Sequence, residues 1–471
     1  MIKFGTGGWR AIIGDDFTKA NIQKLAKALV NKIKNEGVQE KGVVLGYDRR
    51  FLSKEAMQWA GMVFAAENIT AYLINRSSPT PLIMYYIMIH EFPYGMMITA
   101  SHNPAIYNGV KVFTQGGRDA DEIQTRDIEE YIQDVLDKDV KEMEYDKAVT
   151  SGLIVEINPL NEYLDNIIEA VDMDKIRSCG LRVALDPMYG VSETSLKTIL
   201  MTARCDVLTI HERHDTLFGG KLPSPSAHTL RSLQNYVIDK GCDIGIATDG
   251  DADRIGVIDD TGRFLHPNDI LVLLYYYLVK YKGWHGAVVR NIATTHMLDK
   301  VAKTFGESCY EVPVGFKYIS AKMQETDAVI GGESSGGLTV RGHIRGKDGI
   351  YAAALLVEMI AVTGKKLSEI YRDIKEECGS IFMEERDYKF NQEKKEDIFK
   401  TLMTEKELPE IPFTIEKISY LDGCKVYLEN GGWIIARFSG TEPLLRIFCE
   451  MPNPEDAALL CEIYENFLGL K

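Results

Sequence analysis

Apolar residues first fall into a helical rhythm at Ile22, Leu25, Ala26, Leu29, Val30 and Ile33, one face of an amphipathic helix closed by Gly37. The run GVVLGYD (42–48) that follows has the length and content of a buried strand. The same alternation returns along the chain. In LNEYLDNIIEAV, Leu160, Tyr163, Leu164, Ile167, Ile168 and Val171 share a helix face, and LRVALDPMYG (181–190) predicts a strand running into a polar turn. GCDIGIATDGDADR (241–254) and GAVVRNIATTHML (286–298) repeat that pattern. So does MMITASHNPAIYNGVKVF (96–113), where an apolar run delivers a serine and a histidine into an Asn-Pro turn.

Strands that end in polar residues and are followed by helices are the signature of βαβ units, in which ligands gather at the carboxyl ends of the strands. The pattern predicts three mutually similar α/β units with mixed sheets. After residue 370 the texture changes: FTIEKISYLDGCKVYLENGGWIIARFSGTEPLLRIFCEM reads as strands joined by LDG and NGG turns, and a helix follows, NPEDAALLCEIYENFL. That is a smaller α+β unit on an antiparallel sheet. The expected divisions are 1–146, 147–256, 257–370 and 371–471.

Composition narrows the classes of function. The chain has 471 residues, 45% hydrophobic and 26% charged, with a net charge of −15. Nonspecific binding to nucleic acid or to an anionic membrane rewards a basic face, so neither partner is expected. An anionic substrate is compatible, because a local cluster of Arg and Lys dominates a cleft whatever the total. Eight scattered cysteines without a C-x-x-C fit buried reduced thiols rather than a disulfide framework or a zinc site. The longest apolar run, Ile270 to Val279, is about half of the ~20 residues that span a bilayer. A cytoplasmic protein is expected, a monomer or a homodimer.

DGDADR places Asp249, Asp251 and Asp253 at alternate positions after the strand IGIAT. Carboxylates this close repel unless a cation sits among them, and a hard divalent ion held by oxygen ligands answers that need. A solvated acidic turn would explain one or two of them. A calcium helix-loop-helix would require glycine where Arg254 stands, and a metal phosphatase would use Asp249 as its nucleophile. Mg²⁺ is the expected ion, and with it phosphate chemistry. Ser101 is weak as a nucleophile without a base or a metal, and ASHNP is not the G-x-S-x-G elbow of hydrolases. Alone it reads as a capping turn.

TASHNP, DGDADR, GGESSGG and RFSGTEP, in this order and at domain-sized intervals, together resemble the α-D-phosphohexomutases, the phosphoglucomutase/phosphomannomutase family. The resemblance runs over nearly the whole chain and includes FGTGGWR near the start. It implies a four-domain architecture around a central cleft. It also implies Mg²⁺-dependent interconversion of hexose 1-phosphate and hexose 6-phosphate, through a phosphoserine and a bound 1,6-bisphosphate. By that resemblance Ser101 carries the phosphoryl group and joins Asp249, Asp251 and Asp253 around Mg²⁺. Arg10, His102, Lys111 and Arg254 line the transferring phosphate. Glu333 and Ser335 in GGESSGG grip sugar hydroxyls, and Lys317 in VGFK lies beside the substrate. Arg437, Ser439, Gly440 and Thr441 in RFSGTEP hold the phosphate that is not being transferred.

Some bacterial members end the sugar loop in a histidine, where this chain has Gly337. GHIRGKDG (342–349) and VGFK (314–317) instead resemble phosphoglucomutase segments and tilt the expectation toward glucose phosphates, with glucose 1,6-bisphosphate as activator. A phosphomannomutase or a dual-specificity enzyme is the alternative. A phosphoglucosamine mutase would show Gln where Ser334 stands. Lys347 is the expected acid/base, with His343 and His102 as other candidates. A sugar phosphatase and a non-catalytic sugar-phosphate sensor are the remaining readings.

Overall fold

The computed structural model describes residues 2–5, 7–389, 392–438 and 444–470. The amphipathic stretch predicted near the N-terminus is the helix Lys19–Asn35, capped by the Thr18 side chain, which accepts from Asn21 N. Its apolar face packs on a sheet whose strands run in the order Trp9–Ile12, Tyr107–Thr114, Tyr94–Ile98, Val43–Tyr47, Ala71–Ile74, Ile154–Ile157. The strands from Tyr94–Ile98 to Ile154–Ile157 are parallel, and Tyr107–Thr114 returns antiparallel beside Tyr94–Ile98.

The second and third sheets repeat this design in shorter form. Asp206–Thr209, Arg182–Asp186 and Ile244–Thr248 are parallel, and Ile255–Ile258 turns back against the last of them. Cys309–Val312, Val288–Asn291 and Ile330–Gly332 are parallel, and Leu338–Val340 turns back in the same way. In all three units the last parallel strand and its antiparallel return are joined by one loop. Those loops are the ones that hold TASHNP, DGDADR and GGESSGG. The three motifs therefore stand at equivalent places in three copies of one topology. The fourth unit is a fully antiparallel sheet, Phe382–Lys389, Leu444–Met451, Trp433–Phe438, Cys424–Leu428, Ile415–Ser419, packed on the helix Pro454–Phe467.

The expected divisions need correction at every break. Ile154–Ile157 is hydrogen-bonded to Ala71–Ile74, so the first unit extends past 146 to at least residue 157. A break at 256 would cut the strand Ile255–Ile258, and the second sheet runs on to Phe264–Leu265. A break at 370 would cut the helix Leu367–Cys378, which buries Leu367, Ile370 and Ile374 with the preceding units. The fourth unit therefore begins after that helix. The thiols also depart from expectation in part: no disulfide forms, but Cys179 is exposed and Cys309 and Cys378 are only half-buried. No helix among the described residues is long and apolar enough to cross a membrane.

Candidate active site

Three loops from three units converge where the serine lies. Ser101 is buried, at φ 51°, and its Oγ donates to Asp249 Oδ2 at 2.8 Å. His102 Nδ1 lies 3.4 Å from the same Oγ. Asp249, Asp251 and Asp253 are all buried, and each offers a carboxylate oxygen within 4.8 Å of the others. The loops also touch through backbone: Gly250 lies so close that a Cβ there would sit 2.8 Å from Ser101 O. Arg254 and Gly337 form an isolated antiparallel bridge that joins the aspartate loop to GGESSGG.

Part of the acidic charge is met by lysine. Lys111 Nζ bonds Asp251 Oδ2 at 2.6 Å and Asp253 Oδ2 at 2.7 Å, and Lys347 Nζ lies 2.8 Å from Asp253 Oδ2. Despite its burial Lys111 is raised above the usual lysine value by Asp251 and Asp253. Among the described residues Asp249 has no such ammonium partner. Burial and the two neighbouring carboxylates push it up to about 8. Among the described residues, Asp251 Oδ1 and Asp253 Oδ1 are buried without a hydrogen-bond partner. Asp253 Oδ1 has only Arg254 Nε near it, at 3.9 Å. Buried carboxylate oxygens without a hydrogen bond are costly, and an all-oxygen cluster holding two of them fits a hard divalent cation. Asp249, Asp251 and Asp253 would hold it, with Ser101 alongside.

Around this centre the structure brings together most of the residues expected from sequence. Arg10 Nη1 donates to Asn103 Oδ1 at 2.6 Å, and burial, then Arg254, lowers its guanidinium pKa. His102 is held well below the ordinary histidine value by burial and by Arg254 and Arg10, so its ring is neutral at pH 7. Arg254 N donates to Asp249 Oδ1 at 3.1 Å. Glu333 Oε1 accepts from Gly315 N at 3.1 Å and from Asn291 Nδ2 at 3.2 Å, and Ser335 Oγ stands 3.5 Å from Glu333 Oε2.

Other expectations land differently. Lys317 Nζ pairs with Glu122 Oε1 at 2.7 Å, a contact between the third and first units. His343 Nε2 lies 2.7 Å from Asp348 Oδ2, which also accepts from Tyr163 Oη at 2.8 Å. That histidine steadies the 342–349 loop and does not point at Ser101. Arg437 Nε sits 3.0 Å from Asp422 Oδ1, and Asp422 Oδ2 accepts from Val314 N at 2.9 Å. Ser439, Gly440 and Thr441 lie outside the described residues.

Sequence reasoning missed Asp422, which ties Arg437 to the VGFK segment, and it missed Thr80. Thr80 opens the helix Thr80–Ile89; its N donates to Asp251 O at 2.9 Å and its Oγ1 to Asp251 Oδ2 at 2.6 Å. The helix N-terminus thus adds partial positive charge beside Asp251. The only local signal was the PTP run, which suits a helix start.

Gly337 explains how Lys347 arrives. A Cβ at 337 would lie 2.2 Å from Lys347 Cδ and 2.8 Å from its Cγ. The glycine leaves open the volume through which the lysine reaches Asp253.

Four family models cover the chain in turn. They are phosphoglucomutase/phosphomannomutase alpha/beta/alpha domain I over residues 1–138, domain II over 161–262, domain III over 266–378, and the C-terminal domain over 394–464. The chain belongs to the phosphoglucomutase/phosphomannomutase family. It is an enzyme, a mutase. A phosphoglucomutase/phosphomannomutase from Thermococcus kodakarensis is 28% identical over 98% of this chain and 97% of its own. A Methanothermobacter thermautotrophicus protein named "probable phosphoglucosamine mutase" is 30% identical over 99% of this chain and 97% of its own. A solved phosphomannomutase-type structure from Thermus thermophilus superposes with a TM-score of 0.85 at 28% identity, covering 99% of both chains. The segment matched for the third domain ends at 378 with the helix Leu367–Cys378, while that for the second stops at 262, just short of the strand Phe264–Leu265.

Proposed function

We propose that this phosphohexomutase interconverts glucose 1-phosphate and glucose 6-phosphate by passing a phosphoryl group from Ser101 to the sugar and back. The intermediate is a bound glucose 1,6-bisphosphate, which also serves as activator, and the metal is Mg²⁺. The protein acts in the cytoplasm as a monomer or homodimer. The observation that carries the reading is the contact between Ser101 Oγ and Asp249 inside the buried carboxylate cluster. A hydroxyl fit to act as a nucleophile thus stands against carboxylates suited to a divalent cation.

In the forward step a sugar hydroxyl oxygen attacks phosphorus, and the bond between phosphorus and Ser101 Oγ breaks. The hydroxyl proton passes to Lys347 in its free-amine form, Ser101 Oγ leaves as an alkoxide, and the reverse transfer returns the proton to the sugar oxygen. Arg10 and Arg254 supply fixed charge to the phosphoryl oxygens. Asp249, Asp251 and Asp253, with Ser101 alongside, would hold Mg²⁺, which would neutralise charge on the transferring group and lower the cost of its transition state. Glu333 and Ser335 orient the sugar, and Arg437 holds the phosphate at the far end, with Ser439, Gly440 and Thr441.

One competing substrate has a specific observation behind it: the 30%-identical relative named for phosphoglucosamine. Purified protein given the 1-phosphates of glucose, mannose and glucosamine, with Mg²⁺ and a trace of the matching bisphosphate, decides among the three. The highest kcat/KM is expected for glucose 1-phosphate. Higher turnover of either other sugar overturns the glucose assignment, and release of inorganic phosphate overturns the mutase mechanism.

Lys347→Arg tests the proton route. Arginine keeps the positive charge and cannot usefully give up a proton. The variant is expected to lose about 10²-fold in kcat with KM little changed, and its pH–rate profile to lose one limb. A near-normal kcat would reduce Lys347 to a charge beside Asp253.

A further inference from the structure

Arg50, in the turn between the strand Val43–Tyr47 and the helix Ser53–Ala66, is 3% exposed and takes no part in the chemistry described above. Its guanidinium is nevertheless committed to the serine loop. Nη2 donates to Ser101 O at 2.6 Å and Asn103 O at 2.7 Å; Nη1 donates to Pro104 O at 2.9 Å and Tyr107 O at 3.0 Å. Four carbonyls of one loop thus turn inward onto a single planar fork. A loop this tightly curled around Pro104 has few backbone N–H groups to spare, and carbonyls buried without donors are costly.

A second connection runs to the serine from the other side. Arg50 Nε lies 3.3 Å from Asp48 Oδ2, and Thr99 Oγ1 donates to that same oxygen at 2.6 Å. Thr99 Oγ1 in turn accepts from Ser101 N at 2.8 Å. The N–H and the C=O of Ser101 are therefore both tied to the Asp48–Arg50 pair. Ser101 needs such ties, because its φ of 51° is a left-handed conformation that costs an L-residue about 1 kcal/mol or more. The Phe218 ring, from the second unit, covers the guanidinium with its centroid 4.9 Å from Cζ. Gly250 presses on Ser101 O from the same unit.

We infer that Arg50 is a positioning residue for phosphoryl transfer: with Asp48 and Thr99 it holds Ser101 in the left-handed conformation that aims Oγ at the carboxylate cluster. The inference rests on the phosphoserine reading of Ser101 for its kinetic consequence. The geometry of the clamp does not depend on it. The sugar grip at Glu333 and the distal phosphate grip at Arg437 lie on other loops, so loosening the clamp is expected to slow chemistry and spare binding.

Arg50→Lys keeps the charge opposite Asp48 but replaces a planar fork by one ammonium, which cannot serve four carbonyls. Thr99→Val cuts the other tie without touching Arg50, and decides the matter if Arg50→Lys does not fold. The expected result for each is a kcat about 10²-fold lower, KM within about threefold of the parent, and faster amide hydrogen exchange confined to residues 99–108. Parental kcat in a folded variant, or a KM defect alone, overturns the inference. Peptide mapping of active parent protein separates the two readings. A parent without phosphate on Ser101 refutes the phosphoserine, whereas the exchange measurement still decides the clamp. Phosphate on Ser101 together with unchanged exchange and kcat in both variants refutes the clamp alone.

Discussion

Ser101→Ala is expected to abolish mutase turnover, by about 10⁴-fold or more, since the variant has no atom to carry the phosphoryl group. The fold should survive. The substitution removes one hydroxyl, whose hydrogen bond goes to Asp249 Oδ2. Losing the donor to a buried carboxylate costs about 1–3 kcal/mol, small beside the several units that hold the chain together. Intact-mass spectra should show a phosphate adduct on part of the parent protein and none on the variant. Substantial activity in the variant would sink the phosphoserine mechanism outright.

Asp251→Asn has the next largest expected effect, a loss of about 10³-fold in kcat, because a formal charge leaves the metal site. The local geometry adds to the damage. Asp251 Oδ2 accepts from both Lys111 Nζ and Thr80 Oγ1, and an amide nitrogen in that place would set donor against donor. A readout free of turnover is available as well. Mg²⁺ at about 100 times its Kd should stabilise the parent by about 2.7 kcal/mol and leave the variant almost unmoved.

The pH dependence of that stabilisation follows from Asp249. Its value in the folded metal-free protein is raised to about 8, so between about pH 4 and 8 the folded state holds a proton that the unfolded chain has released. Metal-free stability from this group is full at low pH and is lost as pH rises through about 8. The stabilisation by added Mg²⁺ should therefore grow over the same interval. Melting curves with and without Mg²⁺, from pH 5 to 8.5, would show the two lines diverging. Parallel lines would remove Asp249 from the ligand set.

The loops of the site were legible because chemistry demands residue types that packing alone would not assemble. Three aspartates at alternate positions after an apolar strand have no core to fill, and they appear together in space as expected. The helix Lys19–Asn35 was legible from its periodicity and from Gly37 just past its end. The unit limits were not, because strand pairing is non-local: nothing in Ile154–Ile157 tells which sheet its backbone will join. Arg50 was invisible for a related reason. In DRRF it reads as surface charge, and only the folded loop brings four carbonyls to it. His343 was weighed as an acid/base on its position in GHIRGKDG, yet a nearby carboxylate claimed its ring.

The open space above Gly337 has a historical consequence. A side chain at 337 and the lysine at 347 compete for one volume, as the 2.2 Å approach to Lys347 Cδ shows. Moving a basic side chain from one position to the other thus takes two substitutions, and each order passes through a poor intermediate. Enlarging 337 first expels the lysine before a replacement is seated; shortening 347 first leaves the cleft without either. Descent across that gap would be confined to paired changes, so the small residue and the long one are expected to be inherited together or exchanged together.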